Sequence, residues 1–155
     1  MAAARDATPS RILVIGYGSD LRADDAVGRR VAETVQARGL PGVRVRSVHQ
    51  LTPELAAELG AADRVVFVDA TVAADAVSVR WLDATPDPQV MTHHMDPAGL
   101  LALASLLGSS PTDVALVSVP ATDLGLGTHL SPRARAALDQ AVAVVVDLAE
   151  AGYAR

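Results

Sequence analysis

The chain has 155 residues, 13 basic and 18 acidic, for a formal net charge of -5, which disfavours nucleic acid as a partner. That length suits one domain with a sizeable core, and 50% hydrophobic with 3% aromatic residues makes the core aliphatic and leaves no platform for stacked bases. The absence of cysteine excludes disulfides, thiolate metal sites and cysteine nucleophiles, so any metal must rest on oxygen and imidazole.

Residues 1–10, MAAARDATPS, read as a flexible tail without an apolar core of signal-peptide length, and no run reaches the length of a membrane span. A cytoplasmic protein without membrane insertion is therefore expected. Arg11–Ile15 is an unbroken aliphatic run, as in a central parallel strand buried on both faces. Gly16 and Gly18 permit a tight turn, and Asp24 or Asp25 can cap a helix carrying Val27, Val31 and Val35 that stops near Gly39. Val43–Val48 alternates and predicts a strand near the sheet edge. After His49-Gln50, Thr52 is a natural helix cap with Pro53 at the first helical position and Gly60 at the end.

Arg64–Val68 is the second fully apolar run, again a central strand, and Asp69 lies at its end. Ala76–Leu82 alternates and predicts a more exposed strand, antiparallel to the rest. Residues 85–88, TPDP, make a turn, and Met91–Met95 is irregular. Pro97 starts a helix that Gly108 closes; Asp113–Val119 is the last strand, interrupted by Pro120. A glycine-bearing loop then reaches Ser131-Pro132, an N-cap pair opening a final helix over 132–150. This order predicts a three-layer α/β/α sandwich around a mostly parallel sheet of about five strands. One domain spans 11–150, followed by a short C-terminal tail at 151–155.

The loop after the first strand sits where open α/β sheets place their sites. Gly16-Tyr17-Gly18 invites a dinucleotide reading, but Leu21 stands where the third glycine is needed. Asp20, Asp24 and Asp25 would also repel a pyrophosphate, and no lysine is near to cradle phosphate. The same carboxylates suit a cation. Asp69 and His93 or His94 follow or precede predicted elements in a way that lets them converge with this loop on one divalent ion. Structural roles compete for each: one of Asp24 and Asp25 as helix cap, Asp20 as a solvated loop residue, Asp69 as a strand-end turn residue, His49 as an edge-strand exit. His129 lies in a loop, and Met91 and Met95 are packing residues. There is no G-x-S-x-G setting for a serine nucleophile and no H-E-x-x-H for a zinc peptidase.

The stretch Gly16-Tyr17-Gly18-Ser19-Asp20-Leu21-Arg22-Ala23-Asp24-Asp25-Ala26-Val27-Gly28 resembles the opening of the endopeptidases that mature the large subunit of nickel–iron hydrogenases, where G-x-G-N precedes an acidic pair. The resemblance continues through His49-Gln50-Leu51-Thr52-Pro53-Glu54-Leu55, Asp69-Ala70, Thr92-His93-His94-Met95 and Gly125-Leu126-Gly127…Leu130-Ser131-Pro132. It covers roughly Arg11 to Leu148. Two departures stand out: Ser19 occupies the usual asparagine position, and Val119 and Ala121 flank Pro120 where some members carry an acid.

What the resemblance implies is an aspartic-type, metal-recognising endopeptidase. It would remove a C-terminal extension from a hydrogenase large subunit precursor already loaded with its nickel–iron centre. Carried over residue by residue, the nickel ligands and catalytic residues are Asp25, Asp69 and His93, with His94 as the alternative histidine. The nickel would come with the substrate, so the isolated protein can be apo. A non-cleaving assembly chaperone for the same precursor needs the same residues and is the competing function; a nucleotide-binding Rossmann-like protein is the third class.

Overall fold

A computed structural model describes residues 11–90 and 95–150. The expected tails at 1–10 and 151–155, and residues 91–94 with both candidate histidines, lie outside the described residues. The chain order is β1 (Ile12–Tyr17), α1 (Val27–Ala37), β2 (Val43–Val48), α2 (Leu55–Gly60), β3 (Arg64–Thr71), β4 (Ser78–Leu82), α3 (Pro97–Leu106), β5 (Asp113–Pro120) and α4 (Pro132–Glu150). The five strands form one sheet in the order β2-β1-β3-β5-β4. β1 pairs in parallel with both β2 and β3, β3 in parallel with β5, and β4 closes the edge antiparallel to β5.

Alternate residues of the central strands feed two separate cores, because successive side chains point to opposite faces. Ile12, Val14, Val66, Val68, Ala115 and Val117 pack with Val27, Val31 and Val35 of α1 and Val142 and Val145 of α4. Leu13, Ile15, Val65 and Phe67 pack with Leu55 and Leu59 of α2 and Leu100 and Leu101 of α3. This is the three-layer sandwich expected from the apolar runs. The central positions of β1 and β3, and the edge position of β2, are also as expected. β4 takes the antiparallel edge, with Val79 and Trp81 against the first core and Ser78 and Arg80 exposed.

Four local expectations are corrected. β1 runs on to Tyr17, so Gly16 is a strand residue paired to Ser47 and Val68. A Cβ on Gly16 would lie 2.2 Å from the Gly28 carbonyl oxygen, so close packing against α1 is what glycine supplies there. α2 begins at Leu55, because Thr52–Glu54 forms a turn in which the Leu55 N–H donates to the Thr52 carbonyl. β5 includes Pro120, which is tolerated as the last residue of the strand. Neither Asp24 nor Asp25 caps the helical segment that follows, which begins as a 3-10 turn over Ala23–Ala26 with no side-chain cap.

The chain leaves β1 through α1 to one side of the sheet and returns through α2 on the other face to β3. The carboxyl ends of β1 and β3 therefore flank the topological switch point, where loops diverge and leave a crevice.

Candidate active site

At that rim the backbone of β1 breaks at Gly18, whose φ of +146° disfavours a side chain. A Cβ on Gly18 would lie only 1.8 Å from the carbonyl oxygen of Asp25, so the acidic loop folds back tightly over the end of its own strand. The Ser19 N–H donates to Asp25 Oδ2 at 2.7 Å, and the Ser19 hydroxyl accepts from the Leu21 N–H at 3.3 Å. Serine thus provides loop hydrogen bonding at the position where the resembling family has asparagine. Asp25 is half-buried with one oxygen oriented by this bond.

Asp24, its neighbour, has a different role. It is 0% exposed, and its carboxylate accepts from the Thr122 and Asp123 N–H groups at 2.8 and 3.0 Å. It also accepts from the Ser131 N–H and hydroxyl, both at 2.6 Å. Burial pushes its carboxyl upward, but these bonds outweigh burial and hold it below the usual carboxylate range. The Ser131 hydroxyl in turn accepts from the Ala134 N–H at 3.2 Å, capping α4 as expected. Further bonds from the Ala23 N–H to the Gly127 carbonyl and from the Gly127 N–H to the Leu21 carbonyl fasten the acidic loop to residues 121–131. Ala23 is held in the left-handed region, φ +47°, inside this fastening.

Asp69 lies in β3 two residues before its end and is half-buried. Burial raises its pKa to about 6, with the nearby Tyr17 hydroxyl and Ala70 N–H opposing the rise and the Asp25 charge adding to it. The Tyr17 phenol is driven above its ordinary value, first by burial and then by the neighbouring Asp69 carboxylate, with smaller contributions from Asp96 and Asp25. Asp25 and Asp69 are therefore within electrostatic reach across the β1–β3 crevice. Asp96 N-caps α3, accepting from the Gly99 N–H at 2.8 Å, and adds a third carboxylate to the field around Tyr17.

The two aspartates singled out in the sequence thus belong to one rim, while His93 and His94 lie outside the described residues. Among the described residues no three acids or histidines form a group able to hold a metal ion. Two carboxylates with unused lone pairs, one of them raised in pKa, are the donor chemistry that a divalent cation or a shared proton satisfies. His49, after β2, and His129 are exposed, and Asp20 is engaged with Arg29 at 2.7 Å. Tyr17 and Asp96 were not anticipated. The signal for Tyr17 was its parity with Phe67 and Asp69 on the adjoining strand; that for Asp96 was an aspartate directly before Pro97. A cavity of about 350 Å³ lined by Ile12, Val43 and Ala62 lies at the opposite end of β1, away from these carboxylates.

No protein-family model matches the chain, and no curated protein does. Among solved structures it is similar to the hydrogenase maturating endopeptidase HybD from E. coli, with 24% identity, a TM-score of 0.72 and coverage of 92% of this chain and 94% of that one. The hydrogenase 2 maturation peptidase from a Thaumarchaeota archaeon matches with 24% identity and a TM-score of 0.68 over 90% of this chain and 98% of that one. The NiFe hydrogenase maturation protease HycI from Thermococcus kodakarensis matches with 23% identity and a TM-score of 0.68 over 92% and 94%. The chain has the fold of the hydrogenase maturation endopeptidases.

Proposed function

We propose that this protein is an endopeptidase that removes the C-terminal extension of a nickel–iron hydrogenase large subunit precursor, recognising the nickel the precursor carries. The observation that carries the reading is the pairing of Asp25 and Asp69 at the switch point of a fold shared with maturation endopeptidases. A divalent ion relieves the repulsion between such carboxylates and accepts imidazole nitrogen as well, a part that falls to His93, with His94 as its alternate.

In this reading nickel belongs to the substrate, and the ligands test whether the precursor has been loaded. An empty precursor lacks the metal-mediated contact, so discrimination comes from a difference in affinity. Hydrolysis adds water to the scissile carbonyl and breaks the C–N bond, with one proton passing to the departing amine. Asp69, through the oxygen it does not give to the metal, would take the water's proton and return it to the departing amine. This is the aspartic-type chemistry that the resemblance implies.

The test is incubation with nickel-loaded and with unloaded precursor, read by mass spectrometry. Loss of a single C-terminal peptide from the loaded precursor alone is expected. Stable binding without mass loss would replace the peptidase by an assembly chaperone.

A further inference from the structure

The dinucleotide pattern that the acidic loop fails to complete uses its third glycine for close packing of a helix on a strand. In this chain Gly28, in the first turn of α1, performs that packing. Alanine is the better helix former at such a position, so glycine there needs a reason outside the helix. A Cβ on Gly28 would lie 2.5 Å from the Val68 carbonyl oxygen and 3.0 Å from that of Tyr17. The Gly28 carbonyl oxygen in turn fills the space that a Cβ on Gly16 would need. The start of α1 is thus seated backbone on backbone against the carboxyl ends of both β1 and β3.

We infer that Gly28 is a positioning residue: by bringing the start of α1 into backbone contact with β3, it sets the gap between Asp25 and Asp69. The inference rests on the reading of those two carboxylates as the functional pair of the endopeptidase. Asp69 follows Val68 directly in β3, and Asp25 lies one helical turn before Gly28, in the 3-10 turn that runs without a break into α1. That turn itself packs against β3. On its other side Asp25 is tied to the end of β1 by the Ser19 N–H at 2.7 Å. The Gly28 contact is therefore a direct backbone link between the two segments that carry the carboxylates. Ordinary contact begins near 3.4 Å, and a backbone carbonyl cannot rotate aside as a flexible side chain does. A methyl group at position 28 must lift the start of α1 from Val68 by about 1 Å. A misplacement of that size can cost on the order of 100-fold where a site depends on geometry.

The deciding variant is Gly28→Ala, compared with Gly60→Ala, whose Cβ would meet Ser109 at 2.9 Å just before the amino end of β3, away from the carboxylates. Both variants are expected to lose stability in denaturant unfolding. Gly28→Ala alone should weaken the binding of nickel ion to the isolated protein, by about 10–100-fold in calorimetry. Its crystal structure should show Asp25 and Asp69 farther apart by about 1 Å. A folded Gly28→Ala with wild-type spacing and wild-type nickel affinity overturns the proposal and leaves the glycine a packing residue. An equal loss of affinity in Gly60→Ala does the same. If Gly28→Ala does not fold, a nickel-soaked crystal of the wild-type protein decides. An ion between Asp25 and Asp69 with the Gly28–Val68 contact kept supports the proposal, and an ion bound only after α1 has lifted from Val68 overturns it. Failure of the wild-type protein to cleave nickel-loaded precursor counts against the endopeptidase reading alone. The carboxylate spacing in Gly28→Ala then tests the positioning role by itself: a widened gap supports it and an unchanged one overturns it.

Discussion

The acidic loop has two sides, and adjacent residues serve them differently. On the side facing residues 121–131, Asp24 is fully buried and its charge is met by three backbone N–H groups and a hydroxyl. On the side facing β3, Asp25 and Asp69 oppose each other with like charge, and Asp69 is raised to about 6. The first arrangement is what a carboxylate looks like when it stabilises a fold. The second lowers stability, since burial and repulsion both disfavour the ionised form, and such unrelieved strain is characteristic of functional sites. Burial alone therefore does not mark the functional aspartate; what separates the two is whether the surrounding donors satisfy the charge.

The largest expected effect is on the closed side. Asp24→Ala strands the Thr122, Asp123 and Ser131 donors and detaches the acidic loop, at a cost of roughly 3–5 kcal/mol in denaturant unfolding. A loss below about 1 kcal/mol would show that the fastening is not structural.

On the open side the sign reverses. Asp69 keeps its proton in the folded protein up to about pH 6, whereas the unfolded chain releases it near its ordinary value of 3.8. Between those values the folded state binds more protons, so stability contributed by this group is present below pH 3.8 and is lost as pH rises through about 6. Asp69→Asn removes that decline. It should gain on the wild type by about 2–3 kcal/mol on passing from pH 4 to pH 7 in parallel unfolding titrations, while losing cleavage. Parallel pH profiles for the two proteins would contradict the assignment of strain to Asp69.

The smallest effect is expected at Asp20, the third acid of the loop. Its partner Arg29 is mostly buried but Asp20 is exposed, so Asp20→Ala should change stability by no more than about 1 kcal/mol and leave processing intact. A large loss of cleavage would place Asp20 inside the site and blur the division between the loop's two sides.

Much of the architecture was legible because the apolar runs Ile12–Ile15 and Val65–Val68 are buried on both faces, a state that leaves no alternation to misread. Asp69 was legible as the polar end of such a run. The division between Asp24 and Asp25 was not, since it depends on donors from Thr122 and Ser131, about a hundred residues away along the chain. Both acids sit one place apart before a helix, and capping explained either equally well until the loop at 121–131 was seen to claim Asp24. Tyr17 was missed for a related reason: its place beside Asp69 follows from strand parity, which becomes informative only once the β1–β3 register is known.

The central claim is that Asp25 and Asp69, and not Asp24, form a shared site for a divalent metal. A crystal of the protein soaked with nickel and measured at the metal's absorption edge tests it most directly. The account predicts one ion bound by oxygen of both Asp25 and Asp69 at about 2.0–2.2 Å, with a nitrogen of His93 completing the protein ligands. A nitrogen from His94 would leave the site standing and exchange the histidine. An ion held by Asp24, or an ion bound by Asp25 with Asp69 beyond reach, would contradict it.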